Sequence, residues 1–180
     1  DSNGWLSCIA ERMNPDGYAS LPADACTLGP VGSFGTDRIT KSIYDGDGNL
    51  VQTRRGFGTT LEQAYVTYSY TPGGKQEYII DANGNRAKME YDGFGRAERW
   101  IFPGPNAPTA FNASTVVTAL SSAGSINTSD YEAYGYDANG NRKSLRKRDG
   151  SLITFDYDAL NRMTAKGGAA AATSFGYNLL

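Results

Sequence analysis

The 180-residue sequence contains no histidine. Without imidazole it lacks the commonest general base and the commonest zinc ligand, which removes triad hydrolysis and ordinary zinc catalysis from the first rank of functions. Cysteine is scarce: Cys8 and Cys26 are the two present, and without further Cys or His they make no metal site. No apolar run approaches the roughly 20 residues that a membrane-spanning helix needs, so no transmembrane segment is expected. Charge of one sign is missing as well. The 17 Lys and Arg against 19 Asp and Glu leave a net charge of -2, so no global field draws the chain to nucleic acid or to an anionic membrane. The opening Asp1-Ser2-Asn3-Gly4 has neither an initiator methionine nor an apolar signal segment, and reads as the start of an excised, processed or partial piece.

What is present points to β structure. Glycine (22) and tyrosine (12) are both abundant, which favours strands joined by tight turns. One template recurs: Tyr44-Asp45-Gly46-Asp47-Gly48, Tyr91-Asp92-Gly93-Phe94-Gly95-Arg96, Tyr136-Asp137-Ala138-Asn139-Gly140-Asn141-Arg142 and Tyr157-Asp158-Ala159-Leu160-Asn161-Arg162. Looser copies begin at Tyr70-Thr71 and Ile80-Asp81, the latter ending on Gly84, and another opens at Phe175-Gly176-Tyr177. Several copies lie about 21 residues apart. Alternating aromatics precede the template, as in Tyr134-Gly135-Tyr136 and Phe155-Asp156-Tyr157, placing two rings on one face of a strand. The Asp, Asn and Gly residues that follow bond their own backbone or accept positive φ, as hairpin turns require. A single hairpin cannot bury its aromatic face, so neighbours must pair edge to edge.

These residues, above all 136–142 and 157–164, resemble the YD repeats of the Rhs family. The resemblance implies an all-β, antiparallel hairpin array that curves or spirals as part of a shell, as in Rhs polymorphic toxins, Tc-toxin cocoon components and teneurins. On this reading residues 1–40 form an irregular cap segment, and 41–180 are repeats interrupted by an insertion at about 101–130. Phe102-Pro103-Gly104-Pro105 there is expected to break the strand, because prolines donate nothing to a ladder. Within the insertion a short helix is expected, capped by Asn112, with Val116, Val117 and Leu120 turned toward the sheet. Cys8 and Cys26 are compatible with a disulfide closing a loop in an oxidising compartment, the alternative being two buried free thiols.

Three groups of residues invite a functional reading, and each has a structural one beside it. The Asp-x-Asp/Asn-Gly-Asn stretches at Asp45, Asp81 and Asp137 offer oxygens at alternate positions, yet the glycine and bidentate glutamate of a calcium loop are missing and turn chemistry explains the same residues. Asp92 with Arg96 and Asp158 with Arg162 are placed to pair across their turns. Arg142, Arg146 and Arg148 alternate along a strand as a patch for an anionic ligand, or as a solvated edge that discourages aggregation. Exposed tyrosines would suit sugar rings, although most should be packed. The functional expectation is a secreted or surface-exposed structural segment, not an enzyme, with no cofactor and no nucleic-acid partner. Its expected partners are copies of itself or the rest of a longer Rhs polypeptide, met through sheet edges. A surface glycan-binding or adhesion module is the alternative.

Overall fold

A computed structural model of the chain describes residues 2–168 and 172–178. Its fold is all-β, with one short α-helix and one 3-10 helix (Pro15–Ser20) among the described residues, and it divides into two units: Asp1–Arg86 with Asn106–Ser125, and Ala87–Pro105 with Ile126–Leu180.

In the first unit, β1 (Cys8–Glu11), β2 (Arg38–Tyr44), β3 (Leu50–Arg55), β4 (Gln63–Tyr70) and β5 (Gln76–Asp81) follow chain order, each antiparallel to the one before. The register aligns Gln52 with Thr67 and Thr67 with Ile80, so one transverse row is buried from end to end. The polar members of that row satisfy each other: Gln52 Nε2 donates to Thr67 Oγ1 at 2.9 Å, which removes the penalty of burying either alone. Over this face lies the segment 106–125. Helix α1 (Val116–Ser122) packs on β4, Arg54 donates to the Ala113 carbonyl at 2.9 Å, and the Gly124 amide donates to Gly84 at 2.9 Å.

The helix starts later than the sequence suggests. Thr115 is its cap, accepting from the Thr118 amide while the Thr118 hydroxyl accepts from the Thr115 amide, and Asn112 instead closes a turn onto the Ser114 amide. Its inward residue is Ala119, whereas Val117 is 75% exposed. With so short a helix, the small side chain is the one that lets the backbone approach the strand.

Residues 1–40 contribute a strand as well as a cover, since β1 pairs with β2 from Cys8↔Lys41 to Glu11↔Arg38. The loop between them is pinned twice. Cys8 and Cys26 form a disulfide, and Asp37 accepts from Arg12 (2.8 Å) and from the amides of Met13 (2.9 Å) and Gly29 (2.8 Å). The disulfide closes a loop with a sequence separation of 18, so its reduction should lower stability by about 3 kcal/mol through the freedom returned to the unfolded chain. Urea unfolding with and without a phosphine reductant measures this, and an unchanged midpoint would contradict it.

The second unit comprises β6 (Arg86–Tyr91), β7 (Ala97–Pro103), β8 (Ile126–Tyr136), β9 (Arg142–Arg146), β10 (Leu152–Tyr157), β11 (Met163–Gly167) and β12 (Thr173–Ser174). These also pair antiparallel in chain order. Tyr134, Leu145 and Ile153 stand side by side on one face, and Ile101 is buried. The insertion is narrower than its sequence implies. Strand β7 runs through Phe102 to Pro103, which sits opposite Ile126, and the proline's missing donor falls at the last rung, where the ladder ends anyway.

Candidate functional site

The repeated element is a five-residue turn, and the described residues build it seven times. In the turn 137–141 the Asp137 amide donates to Asn141 (3.0 Å) and the Gly140 amide to Asp137 (3.1 Å), a type I turn closed by a residue with positive φ. The Asp137 carboxylate then accepts from the amides of Asn139 and Asn141, both at 2.9 Å, and from the Asn141 side chain at 3.0 Å. Turns 45–49, 81–85, 92–96 and 158–162 repeat these bonds in full, with Arg96 and Arg162 taking the place of the terminal Asn. Turns 71–75 and 147–151 keep the backbone ring, with Thr71 and Lys147 in the aspartate's place. The fourth residue lies at positive φ throughout: Gly48, Gly74, Gly84, Gly95, Gly140, Gly150, and Asn161 at φ 59.

Aspartate suits the first position because one carboxylate oxygen reaches the amides of the third and fifth residues, which the turn leaves unpaired, while the other meets the fifth side chain. Those bonds hold the carboxyls of Asp45, Asp92, Asp137 and Asp158 below the usual carboxylate range. In Asp45 and Asp137 the side-chain amide of Asn49 or Asn141 is the chief cause, and in Asp92 and Asp158 it is the backbone amide of Arg96 or Arg162. The carboxylates of Asp45, Asp81 and Asp137, first in the alternating oxygen sets, are therefore engaged by the turn itself. The Asp92–Arg96 and Asp158–Arg162 pairs both form, at 2.7 Å.

The tyrosine before the aspartate links one hairpin to the last. Tyr70 donates its hydroxyl to the Leu50 carbonyl (2.8 Å), Tyr136 to Ala97 (2.9 Å), Tyr157 to Arg142 (3.0 Å) and Tyr177 to Met163 (2.8 Å). Each acceptor is the residue just after the preceding turn at the same end of the strands, turns 45–49, 92–96, 137–141 and 158–162 respectively. Tyr44, which has no earlier repeat, reaches Leu6 at 3.1 Å. Beside most of these tyrosines the return strand carries one extra residue, as the register shifts at Tyr44, Tyr91, Tyr136 and Tyr157 show. This hydroxyl clamp was not read from the sequence, although the tyrosine set immediately before the turn is its signature. Tyr136→Phe should lower stability by about 1 kcal/mol, the net worth of one such bond, measured as a shift in urea midpoint with unchanged slope.

Arg142, Arg146 and Arg148 each lie over a neighbouring ring. Arg142 lies over Tyr134 (4.9 Å), Arg146 over Tyr131 (4.1 Å) while donating to the Tyr131 carbonyl (2.7 Å), and Arg148 over Phe102 (3.9 Å) while paired with Asp130. The Asp130 carboxylate and the Tyr131 carbonyl occupy donors of Arg148 and Arg146 that an anion would otherwise meet. Burial, reinforced by the bond to Glu132, pushes the neighbouring Tyr134 hydroxyl up to about 12.

This architecture defines a hairpin-repeat scaffold built on tyrosine-aspartate turns. Its sequence carries the RHS Repeat, whose family model matches residues 136–173. Similar solved structures include the crystal structure of TcdB2-TccC3, 17% identical over 76% of this chain with a TM-score of 0.55, and that of TcdB2-TccC3-TEV, 18% identical over 80% with a TM-score of 0.54. A third, TcdB2-TccC3-Cdc42, is 17% identical over 76% with a TM-score of 0.54. The chain spans only 7%, 6% and 6% of those three chains, so the likeness concerns the fold of a small part of them. No curated protein matches the chain.

Proposed function

We propose that the chain is a structural segment of a longer, exported Rhs-type polypeptide, adding hairpins to a sheet that forms the wall of a shell, stalk or filament. The observation that carries this reading is the repeated joint: a self-closed turn, then a tyrosine tied to the hairpin before it. Such joints stiffen an array along its length and leave the turn carboxylates bonded to their own backbone, an arrangement suited to a scaffold. The disulfide fits a secreted or surface location. Partners would be the rest of the same polypeptide, or further copies, paired at the outer edges of β1 and β12.

Native mass spectrometry with light scattering on material purified from its source tests the proposal. A larger polypeptide or an assembly containing this chain is the expected result. A lone, stable monomer that binds a soluble glycan would overturn it in favour of an adhesion module.

A further inference from the structure

In the second unit, the space between one turn and the tyrosine of the next hairpin is filled at each of three joints. Arg96 crosses to the Tyr136 ring, 4.4 Å from its centroid, tied to Asp92 and 3.9 Å from where a side chain on Gly140 would begin. Arg162 does the same to Tyr177 at 4.6 Å, tied to Asp158. Between turns 137–141 and 158–162, where the fifth residue is Asn141, the next turn supplies the filler: Asn161 accepts from Asn141 (2.8 Å) and from Asn139 (3.2 Å).

The joint between turn 45–49 and Tyr70 has neither filler. Its fifth residue is Asn49, whose short side chain stops at Asp45, 3.0 Å away. The fourth residue of the next turn is Gly74, and a Cβ added there would meet nothing within 4 Å. What remains is a cleft of about 480 Å³ lined by Asp45, Asp47, Asn49, Tyr68, Tyr70 and Gly74, with helix α1 along one side. Among the described residues lining it there are two carboxylates and no cationic side chain.

We propose that this cleft binds a guanidinium group, the arginine side chain of a partner polypeptide, seated on Tyr70 with Asp45 and Asp47 as its counter-charges. The chemistry is the one the chain uses on itself. Arg55, Arg96, Arg99, Arg142, Arg146 and Arg162 all lie over tyrosine rings. A flat guanidinium stacks on a ring and offers its edge to a carboxylate at the same time, which an ammonium cannot do. The lining is complementary to that group in charge.

The test titrates the purified chain with the peptide acetyl-Gly-Arg-Gly-amide, and with its citrulline counterpart as the uncharged isostere, following the backbone amides of Gly48 and Gly74 by NMR. Saturable shifts at both glycines are expected with the arginine peptide, and binding at least roughly tenfold weaker with citrulline. Asn49→Arg supplies the guanidinium internally, so it should abolish the peptide response and raise the urea midpoint. Gly74→Asn copies the filler at Asn161 and should weaken the peptide even if the first variant fails to fold. Equal responses to the two peptides, no saturation with arginine, or full binding by folded variants would overturn the assignment.

Discussion

Asp37→Ala is expected to destabilise the first unit by about 3 kcal/mol, the usual loss when one partner of a buried ion pair is removed and its neighbours stay behind. Asp37 is only 5% exposed and Arg12 is nearly as enclosed. Removing the carboxylate takes the counter-charge from the Arg12 guanidinium, which keeps its bonds to the Thr27 and Asp24 carbonyls, and leaves the amides of Met13 and Gly29 without their acceptor. Urea unfolding of the variant, compared with Asp16→Ala on the exposed surface, measures the difference. A loss no greater than that of the surface control would show that water replaces the carboxylate. The same group makes the unit sensitive to acid. The bonds from Arg12 first, then from Met13, hold the Asp37 carboxyl below its ordinary value of 3.8. Its stabilisation is thus fully present above that value and fades as pH falls through the lower, folded one. Asp37→Asn should flatten the fall in stability below about pH 4 relative to the parent.

Gly84→Ala should be the most damaging exchange at any of the turns, costing about 3 kcal/mol, whereas Gly74→Ala should cost about 1 kcal/mol. Both glycines occupy the fourth position of the same turn at similar φ, +83 and +73, so backbone strain is common to the two. They differ in what lies above. A Cβ on Gly84 would fall 2.5 Å from the Phe111 ring and 2.7 Å from Pro108, both on the segment that covers the sheet, whereas one on Gly74 meets nothing within 4 Å. Thermal or urea unfolding of the pair isolates packing from strain. Equal losses would mean that the 106–125 cover yields freely at that point.

The hairpins were legible because their turn chemistry is local: an aspartate, a positive-φ residue and a terminal Asn or Arg lie within five residues and fix the turn before any tertiary contact forms. The disulfide pairing was open to inference for a different reason, scarcity, with only two cysteines to join. What could not be read depends on where distant segments meet. Nothing near Asp37 marks it as a buried anchor, since its partners lie 8, 24 and 25 residues away. The helix start shifted to Thr115 because the reciprocal pair with Thr118 outcompetes Asn112 for the capping position. Strand β7 was shortened on the page by Pro103, a residue whose position at the ladder's end only the pairing with Ile126 reveals. The basic run reads as an anionic patch or a solvated edge because alternation counts charges on a strand and does not see the rings of Tyr131, Tyr134 and Phe102 beside them.

The clamp from Tyr136 to Ala97 spans 39 residues of sequence, while that from Tyr157 to Arg142 spans 15. The same bond forms in both, because the extra residues leave and rejoin the sheet at the opposite end of the hairpin. Such a lineage can lengthen, shorten or duplicate at that far end without renegotiating the joint, so length becomes a freely heritable variable and the joint a constant. Two hairpins from different ancestors, each bringing its own tyrosine and a carbonyl after its own turn, would fit on first meeting, which makes recombination between repeats a cheap route to new scaffolds.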